Sequence, residues 1–351
     1  MFPFRVLNRE TVEEILDMAS VIETVEKAYT LKATGEASLF PLVFHEFERG
    51  KADMDIKSGH LAGANIFGLK LVSWFGANSE KGLPQLIGVV MVLDSSTGVP
   101  KGILSGEPVT CMRTGAAGGI GAKYLARKDS QHLLMVGSGH QAPFQIMAVL
   151  STMEHIRKVT IYNANSFERA DRFAKTIKEK LMEKFVSRYQ DQPDYYRMMA
   201  ERCEIEFVAT DDLEAATRTA DIIITATPSR APLIRKEWVR PGTHITCIGA
   251  DMEGKQEIDE NLFAGAKVYV DDVNQAVHVG ELEIPIKKGV FRQEEILGEI
   301  GQLILGQIPG RTSEEEITIF DSTGIALQDL LTAEHVLKTA EKRGLGSVVD
   351  L

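Results

Sequence analysis

The chain has 351 residues, 44% apolar and 25% charged, which is typical of a globular protein with about two domains and a large core. Its 39 lysines and arginines against 50 acidic residues give a net charge of −11, so we expect no nucleic-acid partner. Three widely spaced cysteines argue against a disulfide framework, and the short apolar runs predict neither a membrane span nor a signal peptide, so we expect a cytoplasmic protein.

The first third of the sequence predicts helices followed by a sheet. Apolar residues recur at helical spacing between 21 and 29, and Ser20-Val-Ile-Glu23 fits a capping box at the start of that helix. From 39 to 105, segments rich in β-branched and aromatic residues alternate with turns, which predicts a mostly antiparallel sheet. The small residues of 113–122 then predict a closely packed helix.

Between 132 and 272, short apolar strands alternate with helical stretches. Parallel strands need a crossover connection, so this alternation predicts βαβ units and a doubly wound parallel sheet. The segment 178–203 is long and polar for a link between a helix and a strand, and it predicts an extended helix with a surface excursion. Helical spacing returns at 332–342.

A glycine-rich turn follows the first strand of this middle region. Gly137-Ser-Gly139-His-Gln-Ala142 has the spacing G-x-G-x-x-A and opens a helix, as in dinucleotide-binding folds. The helix N-terminus would offer free N–H groups to a pyrophosphate, although such turns also occur as plain structure. The residues expected to bind the cofactor here are Gly137, Ser138, Gly139, His140 and Gln141.

The end of the next strand bears on the choice between NAD and NADP. NAD-preferring sites usually have an acid there for the ribose hydroxyl, whereas this sequence has Asn163. Ser166 and Arg169 could approach a phosphate, but Ser166 fits equally well as the cap of the following helix. Both cofactors therefore remain open.

Four further segments could carry chemistry. Lys70 lies inside an apolar strand, where a buried ammonium would need an anion, unless the residue faces outward. Arg113 could hold a carboxylate with two hydrogen bonds or form a structural salt bridge. Asp251 follows a strand at the sheet edge where ligands bind, but it could be a loop carboxylate. Phe320-Asp-Ser-Thr-Gly324 places hydroxyls before a helix, where they could equally act as an N-cap.

Taken together, these segments resemble the ornithine cyclodeaminase/μ-crystallin family, which includes archaeal-type alanine dehydrogenases and ketimine reductases. The resemblance runs from about residue 10 to about residue 335. The matching stretches are Gly68-Leu-Lys70, Gly82-Leu-Pro84, Cys111-Met-Arg113-Thr-Gly-Ala-Ala117, Gly137-Ser-Gly139, Ile248-Gly-Ala-Asp251 with Gly254-Lys255, and Phe320-Asp-Ser-Thr-Gly324.

The resemblance implies an α/β protein and a homodimer. A Rossmann domain, the doubly wound parallel sheet, would span 126–320 and bind NAD or NADP. A discontinuous α+β domain, 1–125 with 321–351, would bind the substrate and form the dimer.

The resemblance also implies roles for individual residues. Asp251 would be the catalytic acid, and Lys70 would act in catalysis while binding the substrate carboxylate with Arg113. Thr323 would contact the substrate on the nicotinamide side. Further cofactor contacts would come from Thr227, Lys255, Ser322, Gln85 and Asn163. No metal is expected.

The sequence departs from the family pattern in the first sheet. Many members carry a Pro-x-Arg there whose arginine binds the substrate carboxylate, whereas this chain has Phe40-Pro-Leu-Val-Phe-His45. Lys57 could supply the missing cation. This departure leaves the identity of the substrate open.

The implied reaction is hydride transfer between nicotinamide and the Cα of a small amino or imino acid. One alternative is an ornithine cyclodeaminase, which uses NAD catalytically and releases ammonia and proline. The other is a μ-crystallin-like protein that binds NAD(P)H without turnover. The presence of Lys70, Arg113 and Asp251 together favours an enzyme, and Thr323 favours the dehydrogenase, since cyclodeaminases often have valine there.

Overall fold

The computed structural model describes every residue from Met1 to Leu351 and divides into two compact units. Unit 1 consists of Met1–Arg113 and Ile325–Leu351, and unit 2 of Thr114–Gly324. The first division falls inside a helix, earlier in the chain than the boundary at 125 that the sequence predicts. No helix combines the length and apolar character needed to cross a bilayer.

The elements up to residue 125 form most of unit 1. In chain order they are β1 (Pro3–Leu7), α1 (Arg9–Ile15), α2 (Met18–Ala33), β2 (Ala37–Leu39), β3 (Val43–Glu48), β4 (Ala52–Leu61), β5 (Ile66–Phe75), β6 (Leu86–Asp94), β7 (Pro100–Ser105) and α3 (Gly106–Leu125).

The elements that follow belong to unit 2 until the last helix and strand, which return to unit 1. They are β8 (His132–Val136), α4 (Ala142–Thr152), β9 (Lys158–Tyr162), α5 (Phe167–Leu181), α6 (Pro193–Cys203), β10 (Glu206–Thr210), α7 (Leu213–Thr219), β11 (Ile222–Thr225), β12 (Arg230–Ile234), β13 (His244–Cys247), β14 (Gln256–Ile258), β15 (Ala266–Val270), α8 (Val273–Val279), α9 (Glu283–Lys287), β16 (Gly298–Glu299), α10 (Ile300–Ile304), β17 (Ile317–Asp321), α11 (Ala326–Arg343) and β18 (Ser347–Asp350).

Unit 1 is built on an eight-stranded sheet of order β18-β1-β7-β6-β5-β4-β2, with β3 paired to β4. β1 and β7 run parallel, and every other pair is antiparallel. The mostly antiparallel sheet predicted for 39–105 is confirmed.

The helix α11 lies directly on this sheet, against β4, β5 and β6. A Cβ added to Gly68 of β5 would meet Met91 O at 2.2 Å and Leu330 Cδ2 of α11 at 2.9 Å. Successive side chains of a strand point to opposite faces, so the buried residues Ile66, Gly68 and Lys70 share the face that α11 covers. The strand period therefore places Lys70 inward.

The start of α2 differs from the sequence prediction. The helix begins at Met18, and its N-cap is Asp17, whose carboxylate accepts a hydrogen bond from the Ser20 amide at 2.9 Å. The capping box predicted at Ser20 is wrong, because the charged oxygen of Asp17 meets the free N–H groups one turn earlier.

Unit 2 is a doubly wound sheet of order β10-β9-β8-β11-β13-β17-β15-β16, and all its strands are parallel. The strand order reverses between β8 and β11, with β9 and β10 on one side of β8 and the later strands on the other. In sheets of this kind ligands bind at the carboxyl ends of the strands beside that reversal, which is where the glycine-rich turn lies.

The long segment 178–203 forms two helices with a tight connection. α5 continues into a π-helical turn, Met182–Val186, and a short 3₁₀ turn before α6 begins at Pro193. The predicted extended helix thus continues as helical turns to Tyr189, but the segment then forms a second helix, because Pro193 suits the first helical position with its fixed backbone angle.

Candidate active site

The glycine-rich turn after β8 has the backbone that a phosphate-binding loop needs. Gly137 has φ of 115°, and a Cβ there would lie 2.6 Å from Ala226 O, so only glycine fits. A Cβ on Gly139 would meet nothing within 4 Å, so the protein's own chain does not close that side of the loop. The N-cap of α4, Gln141, makes no side-chain cap hydrogen bond. The N-terminus of α4 begins at the open side of this turn, so its positive dipole end favours a bound pyrophosphate there.

A cavity of about 620 Å³ opens beside this turn. Its lining includes Ser138, Gly139 and His140 from the turn, Phe144 from α4, and Lys180 from α5. The cavity extends from the turn along α4 and the end of α5, so there is open space beside the loop.

The end of β9 is tied to the glycine-rich turn. Asn163 donates a hydrogen bond from Nδ2 to Ser138 Oγ at 2.7 Å, and its Oδ1 accepts from the amides of Asn165 and Ser166. Ser166 is the N-cap of α5 and accepts from the Arg169 amide at 3.2 Å. Ser166 was predicted either to contact a phosphate or to cap the following helix, and in the structure it caps the helix.

An acid missed in the sequence lies beside this cap. Glu168 accepts a hydrogen bond from Ser166 Oγ at 2.7 Å, and that bond holds the pKa of the carboxyl below its usual range. Glu168 is therefore ionised at neutral pH, next to Ser166 and Arg169, the residues that could approach the phosphate of NADP. A second negative group there would be repelled.

The loops after β11 and β13 converge on one buried carboxylate. Glu257 accepts hydrogen bonds from the Thr227 amide at 2.6 Å, the Thr227 hydroxyl at 2.7 Å and the Gly249 amide at 2.8 Å. The Thr225 hydroxyl donates a further bond at 2.7 Å. Burial raises the pKa of Glu257, and these donors oppose the rise. The Thr227 hydroxyl therefore faces Glu257.

Asp251 lies in the loop that follows β13, with its side chain 49% exposed. Its Oδ1 is 2.5 Å from the ammonium of Lys255. The turn between them includes Gly254, at φ of 77°, whose amide donates to Glu283 at 2.7 Å. Asp251 is thus accessible and paired with Lys255, for which a cofactor contact stays a prediction.

The hydroxyls after β17 point to a buried acid at the end of β15. Asp271 accepts from Thr323 Oγ1 at 2.9 Å, from Ser322 Oγ at 3.3 Å and from the Gly324 amide at 2.7 Å. Burial raises the pKa of Asp271. The N-cap of α11 is Ile325, so Ser322 and Thr323 do not act as the helix cap considered for them.

In unit 1, Lys70 and Arg113 meet on one carboxylate. Lys70, 2% exposed, has its Nζ 3.0 Å from Asp329 Oδ2, and Arg113 Nε lies 3.0 Å from Asp329 Oδ1. Burial lowers the pKa of Lys70 to about 8, against the opposing charge of Asp329. Lys57 of β4 is the direct cross-strand partner of Lys70. The structure therefore places all three predicted substrate-binding cations near one buried acid.

Comparison with known proteins identifies the family. The family model of the ornithine cyclodeaminase/mu-crystallin family matches residues 4–344. The chain belongs to this family. An alanine dehydrogenase from Archaeoglobus fulgidus is 39% identical over 344 residues, which cover 98% of this chain and 97% of that relative. An iminosuccinate reductase from Paracoccus denitrificans is 30% identical over 346 residues, 99% of each chain.

Solved structures of family members share the fold. An archaeal alanine dehydrogenase dimer with bound NAD has a TM-score of 0.84 at 38% identity and covers 100% of both chains. A Δ1-pyrroline-2-carboxylate reductase from Thermococcus litoralis, in complex with NADH and L-proline, has a TM-score of 0.87 at 31% identity, covering 98% of this chain and 99% of that one. The predicted family and fold class are confirmed.

One predicted cofactor contact is engaged in its own loop. Gln85, before β6, donates from its side-chain Nε2 to Gly76 O at 2.7 Å, and its backbone carbonyl accepts from the Phe75 amide. The side-chain amide of Gln85 thus stabilises the turn between β5 and β6. Its contact with a cofactor stays a prediction.

The acids that hold the predicted residues in place were not predicted from the sequence. Asp329 and Glu257 are both fully buried, and Asp271 is 1% exposed. The available signals were an acid on the apolar face of the last helix and an acid in the strand Gln256–Ile258. An acid in an apolar pattern indicates a buried partner but does not identify it.

Proposed function

We propose that the protein is an NAD-dependent oxidoreductase that transfers hydride between nicotinamide and the Cα of a small amino or imino acid. The observation that carries the proposal is the buried pair of cations, Lys70 and Arg113, since such a pair suits a substrate carboxylate. Family membership and the open glycine-rich turn of unit 2 support it further.

The charges of unit 1 leave a surplus of one positive charge for an anionic substrate. Lys70, Arg113 and Lys57 carry three positive charges, against the two negative charges of Asp329 and Asp55. We assign Lys70 and Arg113 to the substrate carboxylate, with Lys57 in place of the arginine that many family members carry. Fixing the carboxylate at two points would orient the Cα–H bond.

Asp251 is our candidate for the catalytic acid and base. When a hydride leaves the amino acid, positive charge develops on the substrate nitrogen, and a carboxylate about 4 Å away would stabilise it by roughly 4 kcal/mol at an effective dielectric of 20. That is about a thousandfold in rate if the effect acts only in the transition state. Its exposed position, beside Lys255, suits exchange of a proton with the amine.

Bound NAD would supply the hydride acceptor, held by the turn Gly137–Gln141 and the first turn of α4. Asn163, Thr227, Lys255 and Ser322 are further candidate contacts. We propose NAD and not NADP, because Glu168 places a negative charge beside Ser166 and Arg169. Solved relatives contain NAD or NADH, which supports the same choice.

We propose a cytoplasmic homodimer formed through the uncovered apolar residues of β3 and the chain before it. Phe40, Val43, Phe44 and Phe47 are 44%, 49%, 50% and 57% exposed, and apolar side chains left uncovered on β3 and the chain before it favour a protein partner. The archaeal alanine dehydrogenase neighbour is described as a dimer. Light scattering tests this directly: the wild type should have twice the chain mass, and a Phe44→Asp, Phe47→Asp double variant should shift toward the monomer.

The activity is tested by following NADH absorbance at 340 nm with pyruvate plus ammonia, oxaloacetate plus ammonia, and a cyclic imino acid. We expect net NADH oxidation with at least one of these substrates. Ammonia release from ornithine without net change in NADH would instead show a cyclodeaminase. Tight NADH binding without turnover of any substrate would show a binding protein.

A further inference from the structure

Asp329 is the residue that joins Lys70 and Arg113, the two cations proposed to bind the substrate. Its Oδ2 lies 3.0 Å from Lys70 Nζ and its Oδ1 lies 3.0 Å from Arg113 Nε. The side chain has no solvent exposure. One carboxylate therefore uses a different oxygen for each cation.

We propose that Asp329 is a positioning residue that fixes the Lys70 ammonium and the Arg113 guanidinium as one carboxylate-binding pair for the substrate. This inference rests on the proposed function. It adds a residue that shapes the substrate site without contacting the substrate.

Electrostatic repulsion between Lys70 and Arg113 requires an anion between them. Two like charges buried side by side repel each other strongly, because the interior screens them far less than water does. An anion paired with both cations offsets that repulsion and fixes their separation. The Arg113–Asp329 contact is a charge-assisted hydrogen bond, which is directional, whereas Lys70 forms an ion pair with the other oxygen and donates its hydrogen bond to Thr110 Oγ1 at 3.4 Å.

Asp329 is held by a rigid support. Asp329 lies in the first turns of α11, beside Gln328, which is also fully buried. Gln328 Oε1 accepts from Arg113 Nη1 at 3.3 Å and from the Ile325 amide at 2.9 Å, while its Nε2 donates to the Tyr29 hydroxyl at 2.8 Å. The pair Gln328 and Asp329 thus connects Arg113 to the helix start and to α2. A substrate clamp held this way would lose little entropy on binding.

The charged groups around Lys70 decide how it titrates. Asp329 faces it from α11, Arg113 from α3, and Lys57 and Asp55 from β4. Burial, Arg113 and Lys57 lower the pKa of Lys70, whereas Asp329 and Asp55 raise it. Burial would raise the pKa of Asp329, but Arg113 and Lys70 outweigh it and keep that pKa below its usual range. Removing the charge of Asp329 should therefore lower the pKa of Lys70 further.

The test compares Asp329→Asn and Asp329→Glu with the wild type. Asp329→Asn removes the charge, so the KM for the amino or imino acid should rise about ten- to hundredfold, the effect expected for bonds to charged groups. The alkaline limb of kcat/KM should move to lower pH. Asp329→Glu keeps the charge but moves it, so KM should rise while the limb stays near its wild-type pH. NADH affinity and the melting temperature report on folding.

Glu334→Gln is the matched control. Glu334 lies on the same helix, is 2% exposed and pairs with Lys101, away from Lys70. We expect no change in its KM or pH profile. A Lys70→Arg variant shows whether titration of Lys70 causes the alkaline limb of the kcat/KM profile, since arginine stays charged at all accessible pH values.

Two results would overturn the inference. One is a folded Asp329→Asn enzyme with wild-type KM and an unmoved alkaline limb. The other is that both Asp329 variants bind no NADH and no longer unfold cooperatively, which would show that the residue serves folding alone.

A direct titration separates this inference from the proposed function. With ¹³C-labelled lysine, NMR of the full-length protein should report a Lys70 pKa of about 8 and a lower value in Asp329→Asn. If the titration gives this shift but no substrate is turned over, the proposed function fails and the pairing stands. If Lys70 is unshifted in an active Asp329→Asn enzyme, the pairing fails and the proposed function stands.

Discussion

Glu257 binds Thr227 twice, through the backbone amide at 2.6 Å and through the hydroxyl at 2.7 Å. The other oxygen of the same carboxylate accepts from the Gly249 amide at 2.8 Å. A Cβ on Gly249 would lie 2.2 Å from Thr227 O, so the two loops pack as closely as backbones allow. One buried acid thus sets the spacing of the loop with Thr227 and the loop that leads to Asp251.

Replacing Glu257 by glutamine should loosen these loops. The amide end of glutamine cannot accept the bonds that one carboxylate oxygen accepts, and each bond to a charge contributes about 1.5–3 kcal/mol. We expect the Kd for NADH, measured by fluorescence titration, to rise by about tenfold or more.

Glu260→Gln is the control for this variant. Glu260 follows closely in the chain, but its partners are Lys288 and Gln256, away from the two loops. The Kd of Glu260→Gln for NADH should match that of the wild type. An unchanged Kd in a folded Glu257→Gln protein would show that the loop spacing does not matter for the cofactor.

Sequence patterns predicted those elements whose conformation depends on residues close together in the chain. The period of two in β5, the strand and helix alternation of unit 2 and the glycine spacing after β8 are set by neighbouring residues, and each predicted the observed element. The backbone of Gly137, at φ of 115°, is the conformation that the fingerprint requires.

The partners of the site residues could not be predicted in the same way. Arg113 and Asp329 are 216 positions apart, and Thr323 and Asp271 are 52 positions apart. Both pairs form only because the fold brings separate elements together, which no local period encodes. The error at the start of α2 has a local origin, since Asp17 and Ser20 both suit an N-cap and the charged residue is the one used.

Asp251→Asn tests the assignment of the catalytic acid. The variant keeps the size of the side chain but removes the proton acceptor and the negative charge, so turnover should fall by about a thousandfold. The Kd for NADH should stay within a few fold. Single-turnover measurements at 340 nm with saturating cofactor would separate chemistry from binding.

Glu253→Gln offers a matched acid in the same loop. Glu253 is 75% exposed and pairs with Lys287. We expect near wild-type turnover from this variant. Normal turnover of Asp251→Asn at saturation, accompanied by weak NADH binding, would move Asp251 from catalysis to cofactor binding.

The choice of cofactor is tested at Glu168. Its ionised carboxyl, hydrogen-bonded to Ser166, should repel the extra phosphate of NADPH, so the wild type should have a higher kcat/KM with NADH. Glu168→Gln should lower the ratio of kcat/KM with NADH to kcat/KM with NADPH by about fivefold, since one nearby charge contributes about 1 kcal/mol in water-exposed surroundings. Glu179→Gln, an exposed acid on the same helix, should leave the ratio unchanged. A wild-type preference for NADPH would contradict the proposed role of Glu168.

The stability of the protein should depend on the charge of His244. This side chain is fully buried between Thr318 and Thr246, with both hydroxyls 2.9 Å from its ring nitrogens. Burial, with a smaller effect from Arg311, lowers its pKa to about 3. Between that value and the ordinary pKa of about 6.5, the unfolded chain binds a proton that the folded protein excludes.

The free energy of unfolding should therefore fall as pH drops through this window, by up to about 1.4 kcal/mol per pH unit from this residue. Urea unfolding between pH 6.5 and 5 measures the slope. His244→Gln retains a donor and an acceptor for the two threonines but has no proton to bind, so its slope should be shallower by that amount. His155→Gln, at an exposed histidine, should keep the wild-type slope. Equal slopes in His244→Gln and the wild type would mean that the buried ring accepts a proton in the folded protein.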